Sequence, residues 1–237
     1  MKSTQQQGFT LIEIAIVLVI IGLLLGGILK GQELITSARV RNLISQQDGI
    51  KAAFYGFQDR YRALPGDYAA ATTNIQGLGA NQNGNNNGRV EVAATPVGGS
   101  VVEEHILAWA HLSRSGFING NYTFATTESD LTTPKNPYGR QVRLSYDANY
   151  GDPAVTNPQR HNLKSGNQIP VEITAEVDRK IDDGNPMTGS FVFTNFNPGG
   201  AVLLAPGGAQ ACVTAAPFNW QLTGGTTSVD CGGTSLM

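Results

Sequence analysis

The chain is short of charge and of cysteine. Asp, Glu, Lys and Arg make up 14% of its 237 residues, against about 25% in a typical soluble domain, so long solvated charge tracts are excluded. Sixteen basic against 18 acidic residues leave a formal charge of −2. That balance, with no basic stripe, argues against a nucleic-acid backbone as main partner. Two cysteines rule out a disulfide-dense scaffold and every four-thiolate zinc site, and leave room for one disulfide. The histidines His105, His111 and His161 form no metal spacing; the first two stand six apart, on different faces of any helix. There is no G-x-S-x-G elbow and no Walker loop, and the glycine pairs around Gly199 and Gly207 lack a strand-to-helix setting for phosphate. No catalytic constellation is legible, and the expectation is a protein that is not an enzyme.

What is present is concentrated at the N-terminus. From Phe9 to Leu29 the only formal charge is Glu13, and as a helix this run would cover about 32 Å, close to the roughly 30 Å of a bilayer core. A secretory signal peptide has a shorter apolar stretch, more leading positive charge and a small-residue cleavage site. Here the run continues into a further helical pattern, so cleavage after it is not expected. Lys2 precedes the span and Lys30, Arg39 and Arg41 follow it; loop charge alone would orient it the other way, but paired cysteines, Asn/Gly loops and few charges mark an exported domain. A carboxylate at the centre of a spanning helix costs about 2.5 to 3.5 kcal/mol on insertion scales. Glu13 therefore either reaches the headgroups or has a partner.

The residues around it, Gly8-Phe9-Thr10-Leu11-Ile12-Glu13 followed by Ile14-Ala15-Ile16-Val17-Leu18-Val19-Ile20-Ile21-Gly22, closely resemble the prepilin N-terminus shared by type IV pilins and type II secretion pseudopilins. The resemblance implies a leader, residues 1–8, removed by a prepilin peptidase after Gly8, with N-methylation of Phe9. It implies that Glu13 pairs with the terminal amine of a neighbouring subunit during assembly. It also implies as partners other pilin or pseudopilin subunits, an inner-membrane assembly platform and the lipid bilayer. The location would be a single-pass inner-membrane precursor with its C-terminal domain exported, then a filament in the periplasm or at the cell surface. Many major pilins break the helix with proline near the end of the apolar run, where this chain has Gly26-Gly27. That difference and the large Asn/Gly-rich domain point towards a minor pilin or pseudopilin. A membrane-tethered binding module or adhesin, with the helix as anchor only, is the alternative.

Beyond the span, Leu43, Ile50, Phe57 and Leu64 recur every seven residues with Phe54 and Tyr61 between them, and Gln47 is the one polar interruption. The run ends at Leu64-Pro65-Gly66-Asp67, where the residue before proline leaves helical geometry. The organisation expected is therefore a leader at 1–8, a membrane or filament-core half-helix at 9–29, an amphipathic half-helix at 30–64 and a globular domain at 65–237. In class it is α+β: a long N-terminal helix packed on a domain with a small antiparallel sheet.

Within that domain, residues 67–99 read mostly as loop. Val102 to Ser115 reads as a helix stopped by Gly116. Gln141 to Tyr146, Ser190 to Phe196 and Ala201 to Leu204 read as strands, the last two joined by a turn at Pro198 to Gly200. Pro170 to Asp183 reads as a short helix with proline in its first turn, or as a strand in its first half. Ala63 to Tyr68, Ile181 to Pro186 with Thr188-Gly189, and the Cys212 to Cys231 tail also resemble a subset of prepilin-type proteins. In pilins such a cysteine pair commonly closes a surface loop; two free buried thiols are the alternative here. A Cys212 to Cys231 bridge would be worth on the order of 3 kcal/mol by loop entropy.

No cofactor is expected, with one qualification. Asn83, Asn85 and Asn87 occupy first, third and fifth positions of an EF-hand-like spacing, with Gly88 sixth and Val90 eighth. These ligands are neutral amides, and Ala94 stands where a bidentate glutamate belongs. A flexible Asn/Gly loop is the default; calcium at Asn83, Asn85 and Asn87 is the sharper alternative.

Overall fold

The computed structural model describes residues 10–92, 95–97, 100–152, 155–196, 212–222 and 229–237, with 95–97 and 100–102 described in backbone alone. The elements run α1 (Leu11–Tyr61), α2 (Ala71–Asn74), β1 (Thr95–Val97), β2 (Ser100–Val102), α3 (Glu104–Arg114), β3 (Arg143–Asp147), β4 (Arg160–Lys164), α4 (Val171–Ile181), β5 (Phe191–Phe193) and β6 (Gly233–Leu236). The fold is α+β, a long N-terminal helix with a small antiparallel sheet and further helices. The chain divides into two compact units, Met1–Arg39 and Val40–Met237.

In the first unit α1 leaves its large apolar side chains from Leu11 to Ile35 exposed. In the second, the seven-residue stripe is buried: Leu43, Ile50, Phe57 and Leu64 all lie in the core. Phe54 and Phe57 pack with Trp109 and Leu112 of α3 and Leu144 and Leu163 of the sheet. Val40 and Leu43 join a second cluster with Ile173 and Val177 of α4, Phe191 and Phe193 of β5, and the cystine. Gln47, at 1% exposure, has no hydrogen-bond partner on either amide atom. It is a local cost in an otherwise apolar seam.

Two strands that pattern does not announce complete the sheet, whose order is β3-β4-β6-β5 and whose pairings are all antiparallel. Leu144 pairs with Leu163 on the face that turns to the core, and Ser145 pairs with Asn162 on the other face. That second face is buried as well, and it is polar. Lys164 Nζ lies 2.6 and 2.7 Å from the Asp147 carboxylate, 2.8 Å from Asn162 Oδ1 and 3.1 Å from Ser145 Oγ.

Several expectations are corrected. Val102 ends β2, and α3 begins at Glu104 after an extended Glu103; a β-branched valine pair suits a strand better than a first helical turn. Pro170 is the N-cap of α4, outside its first turn. The segment 67–99 is mostly loop, as expected, and holds the single turn α2 and strand β1 among its described residues. The expected turn at Pro198 to Gly200 and strand at Ala201 to Leu204 lie outside the described residues, and β5 pairs with β6. Gly116 closes α3 with φ +81°, as the C-terminal signal requires.

Candidate functional site

Gly8 and Phe9 lie outside the described residues. Glu13 lies just after them, in the first turn of α1. Its Oε2 accepts the Thr10 backbone N–H and the Thr10 hydroxyl, each at 2.8 Å, while Thr10 Oγ1 accepts the Glu13 N–H at 3.3 Å. This reciprocal arrangement is a capping box, with Thr10 at the N-cap and Glu13 at the third helical position. The pattern Thr-x-x-Glu carries it in the sequence, but the apolar residues that follow draw attention to the membrane instead. In the isolated chain the carboxylate is thus held by local donors at the start of the helix.

Beyond Glu13, every described residue from Ile14 to Lys30 is exposed. Among the described residues, α1 alone is a helix long and apolar enough to cross a membrane. A surface apolar all round is suited to lipid or to like helices, because either environment hides it from water.

The turn after α1 is built around two carboxylates. Gly66, at φ +91°, approaches the Glu104 carbonyl so closely that no side chain fits. Asp67 Oδ1 and Oδ2 accept the Asn87 and Gly88 N–H groups at 2.9 and 2.8 Å. Glu104 accepts the Asn85 and Glu91 N–H groups at 3.0 and 3.2 Å. Burial pushes Glu104 up to about 7; the two amides oppose this, and the Asp67 and Glu91 charges add to it. Burial likewise raises Asp67, against the amides of residues 86–88.

Asn83, Asn85 and Asn87 are brought into this loop, but their oxygens turn to the backbone. Asn83 Oδ1 accepts the Thr72 N–H, Asn85 Oδ1 the Asn87 N–H and Asn87 Oδ1 the Arg89 N–H. The arrangement gives these asparagines a turn-forming role.

His111 is fully buried: Nδ1 accepts the Gly66 N–H at 3.0 Å and Nε2 donates to the Gln82 carbonyl at 2.9 Å. His105 faces an open cleft of about 460 Å³ lined also by Glu103, Glu128, Arg140 and Arg143. Glu103 and Glu128 stand 3.4 and 3.6 Å from the His105 ring, and Arg143 binds Glu128 through two bonds of 2.6 and 2.8 Å. Burial holds both histidines down at about 4, with Arg143 adding to the effect at His105. They are neutral rings that organise structure. Cys212 and Cys231 form a disulfide with Cα atoms 5.6 Å apart, and both are buried.

Residues 3–29 match the family model described as the prokaryotic N-terminal methylation motif. Comparison with curated proteins and with solved structures finds no match. The matched segment contains Glu13, its Thr10 partner and most of the exposed apolar surface of α1. By that segment the chain is similar to the processed N-terminus of type IV pilins and pseudopilins.

Proposed function

We propose that the chain is a structural subunit, a minor pilin or pseudopilin, of a type IV pilus or type II secretion filament. In this reading a prepilin peptidase removes residues 1–8, Phe9 is N-methylated, and the precursor waits in the inner membrane with its C-terminal domain exported. Assembly then moves the exposed surface of α1 from lipid into a core of like helices. The observation that carries the reading is the matched motif lying on the exposed apolar first half of that helix, Leu11 to Ile35. Packing between such helices uses dispersion and close contact, since lipid and helix surfaces are equally apolar.

Glu13 supports the same reading. Its carboxylate accepts the Thr10 amide, one residue along from the nitrogen that cleavage after Gly8 would free. Exchange of the Thr10 donors for a neighbouring subunit's terminal ammonium would replace neutral donors to the carboxylate with a cationic one, adding ion-pair attraction to the hydrogen bond. Mass spectrometry of the N-terminal peptide from native membranes tests the processing. A methylated Phe9 is expected; an intact Met1 in cells with active prepilin peptidase would favour the tethered binding module. Glu13→Ala is expected to insert in the membrane normally but to be missing from sheared filaments.

A further inference from the structure

Helix α4 ends in acids where its dipole is least suited to them. Asp178 lies in its last turn, Asp182 is its C-cap and Asp183 follows, so three carboxylates gather at the negative end of the helix. One carboxylate oxygen from each lies within 4.8 Å of those from the other two. The neighbouring cations do not neutralise them: Arg179 and Lys180 each pair with Glu176, at 3.4 Å.

The hydrogen bonds around the cluster leave one buried oxygen open. Asp183 accepts the Asn185 N–H at 2.8 Å and the Thr188 hydroxyl at 2.6 Å. Asp182 Oδ2 accepts the Ser190 and Phe191 N–H groups. Asp178 Oδ2 accepts the indole N–H of Trp220 at 2.7 Å. Asp178 is 0% exposed, yet its Oδ1 has no hydrogen-bond partner. The Gly184 backbone amide also hydrogen-bonds the Asp178 carboxylate and favours its charged form. A buried carboxylate oxygen left open beside two further acids is an expensive arrangement unless something positive meets it.

We propose that Asp178, Asp182 and Asp183 form a binding site for a calcium ion. The spacing fits: oxygen ligands about 2.4 Å from one calcium ion stand no more than about 4.8 Å from one another. The donors are all hard oxygens, which suits calcium and disfavours zinc or copper. Water and backbone carbonyls would complete the larger, irregular shell that calcium accepts and magnesium does not. The site differs from the asparagine spacing of residues 83–87, where the oxygens already serve the backbone.

Occupancy would reach the cystine loop. Trp220 lies between Cys212 and Cys231, its neighbour Gln221 donates its N–H to the Cys212 carbonyl, and its own indole holds Asp178. An ion that fixes Asp178 would fix that anchor too, and tryptophan emission would report it. Burial, reinforced by Asp183 and Asp182 and opposed by the Trp220 bond, pushes Asp178 up to about 6.

The test uses the full chain in detergent micelles, stripped with EDTA and titrated with CaCl2 at pH 7.5 while heat, tryptophan emission and thermal midpoint are followed. One saturable equivalent, a higher midpoint and a changed emission are expected. Asp183→Asn, at an exposed position, should fold normally in EDTA and bind at least about tenfold more weakly, because the ligand charge falls by one. Asp178→Asn should lose the response. Absence of saturable heat and of any midpoint shift up to roughly 10 mM CaCl2, beyond the range of weak extracellular calcium modules, would overturn the site. So would wild-type binding by Asp183→Asn, or an equal response to MgCl2, which would mark a diffuse counter-ion effect.

Discussion

His111 Nδ1 accepts the Gly66 amide at 3.0 Å, which ties the turn after α1 to the last turn of α3. Because Nε2 donates to Gln82, the same ring also fixes the loop that follows α2. One buried side chain thus joins three separate stretches of the chain.

Gly66→Ala tests how tightly that junction is built. The positive φ alone costs an alanine about 1 to 2 kcal/mol, and its Cβ would strike the Glu104 carbonyl and crowd Ala108. A total loss of about 3 kcal/mol or more is expected from the urea midpoint in detergent, with α3 shifted away from the turn. A loss under about 1 kcal/mol would mean that the turn relaxes freely.

Acid should weaken the domain through its two buried histidines. His105 and His111 sit at about 4 when folded, below the unfolded value of about 6.5. Their neutral forms are fully compatible with the fold above pH 6.5, and stability falls as pH drops from there towards 4. Each contributes on the order of 3 kcal/mol to that fall. Glu104 works in the opposite sense. Its folded value of about 7 exceeds the unfolded value, so protonation between pH 7 and about 4.5 favours the fold. Glu104→Gln should therefore steepen the decline of thermal midpoint between pH 7 and 4, whatever it does at neutral pH. An unchanged slope would contradict the opposition.

Lys164 is 1% exposed and paired with Asp147 inside the sheet. Burial opposes the Asp147 charge, but Lys164 holds its carboxyl below the usual range. Lys164→Ala should cost about 3 to 5 kcal/mol, because it leaves a buried carboxylate without its cation. Lys164→Met with Asp147→Leu should recover a large part of that loss, since apolar replacement of both partners is often neutral. Chemical denaturation of the two variants separates charge from packing; equal losses would assign the cost to packing.

The Cys212–Cys231 bridge spans 19 positions. Reduction, or the double serine variant, should lower stability by about 3 kcal/mol. Denaturation with and without reductant measures it. The loss should be confined to the fold's stability and should leave membrane insertion of α1 unchanged, because the bridge lies in the second unit.

How much of this was readable depended on where the energy lies. The helix α1 was legible because Leu43, Ile50, Phe57 and Leu64 repeat on one face and the repeat is buried. The strand β4, Arg160-His161-Asn162-Leu163-Lys164, was not legible: its alternate residues point into a buried polar network, so hydrophobicity does not mark it. The strand β6 carries Gly233-Thr234-Ser235-Leu236 and is equally silent. Its place comes from pairing on both sides, a non-local effect that no local pattern encodes. The methylation motif is legible as a word, whereas the Thr10–Glu13 capping box within it is masked by the apolar run that follows. The Asp67–Glu104 cradle could be read only in part: its asparagines were visible, but their partners lie in the turn after α1 and at the start of α3.

Strand β6 sits between β4 and β5. A ribosome must therefore deliver residues 233–236 before the sheet can close; until then Asn162–Lys164 are paired on the β3 side alone and Phe191–Phe193 have no strand to pair with. If the domain crosses a membrane in the N-to-C direction, it emerges with two open strand edges and completes itself only after translocation has passed Gly233. Such late, long-range closure is slow compared with local helix formation and exposes unpaired edges meanwhile. The newly exported chain would then be a natural client for a holding chaperone, and truncation just before residue 233 should leave a helix attached to an unfinished domain.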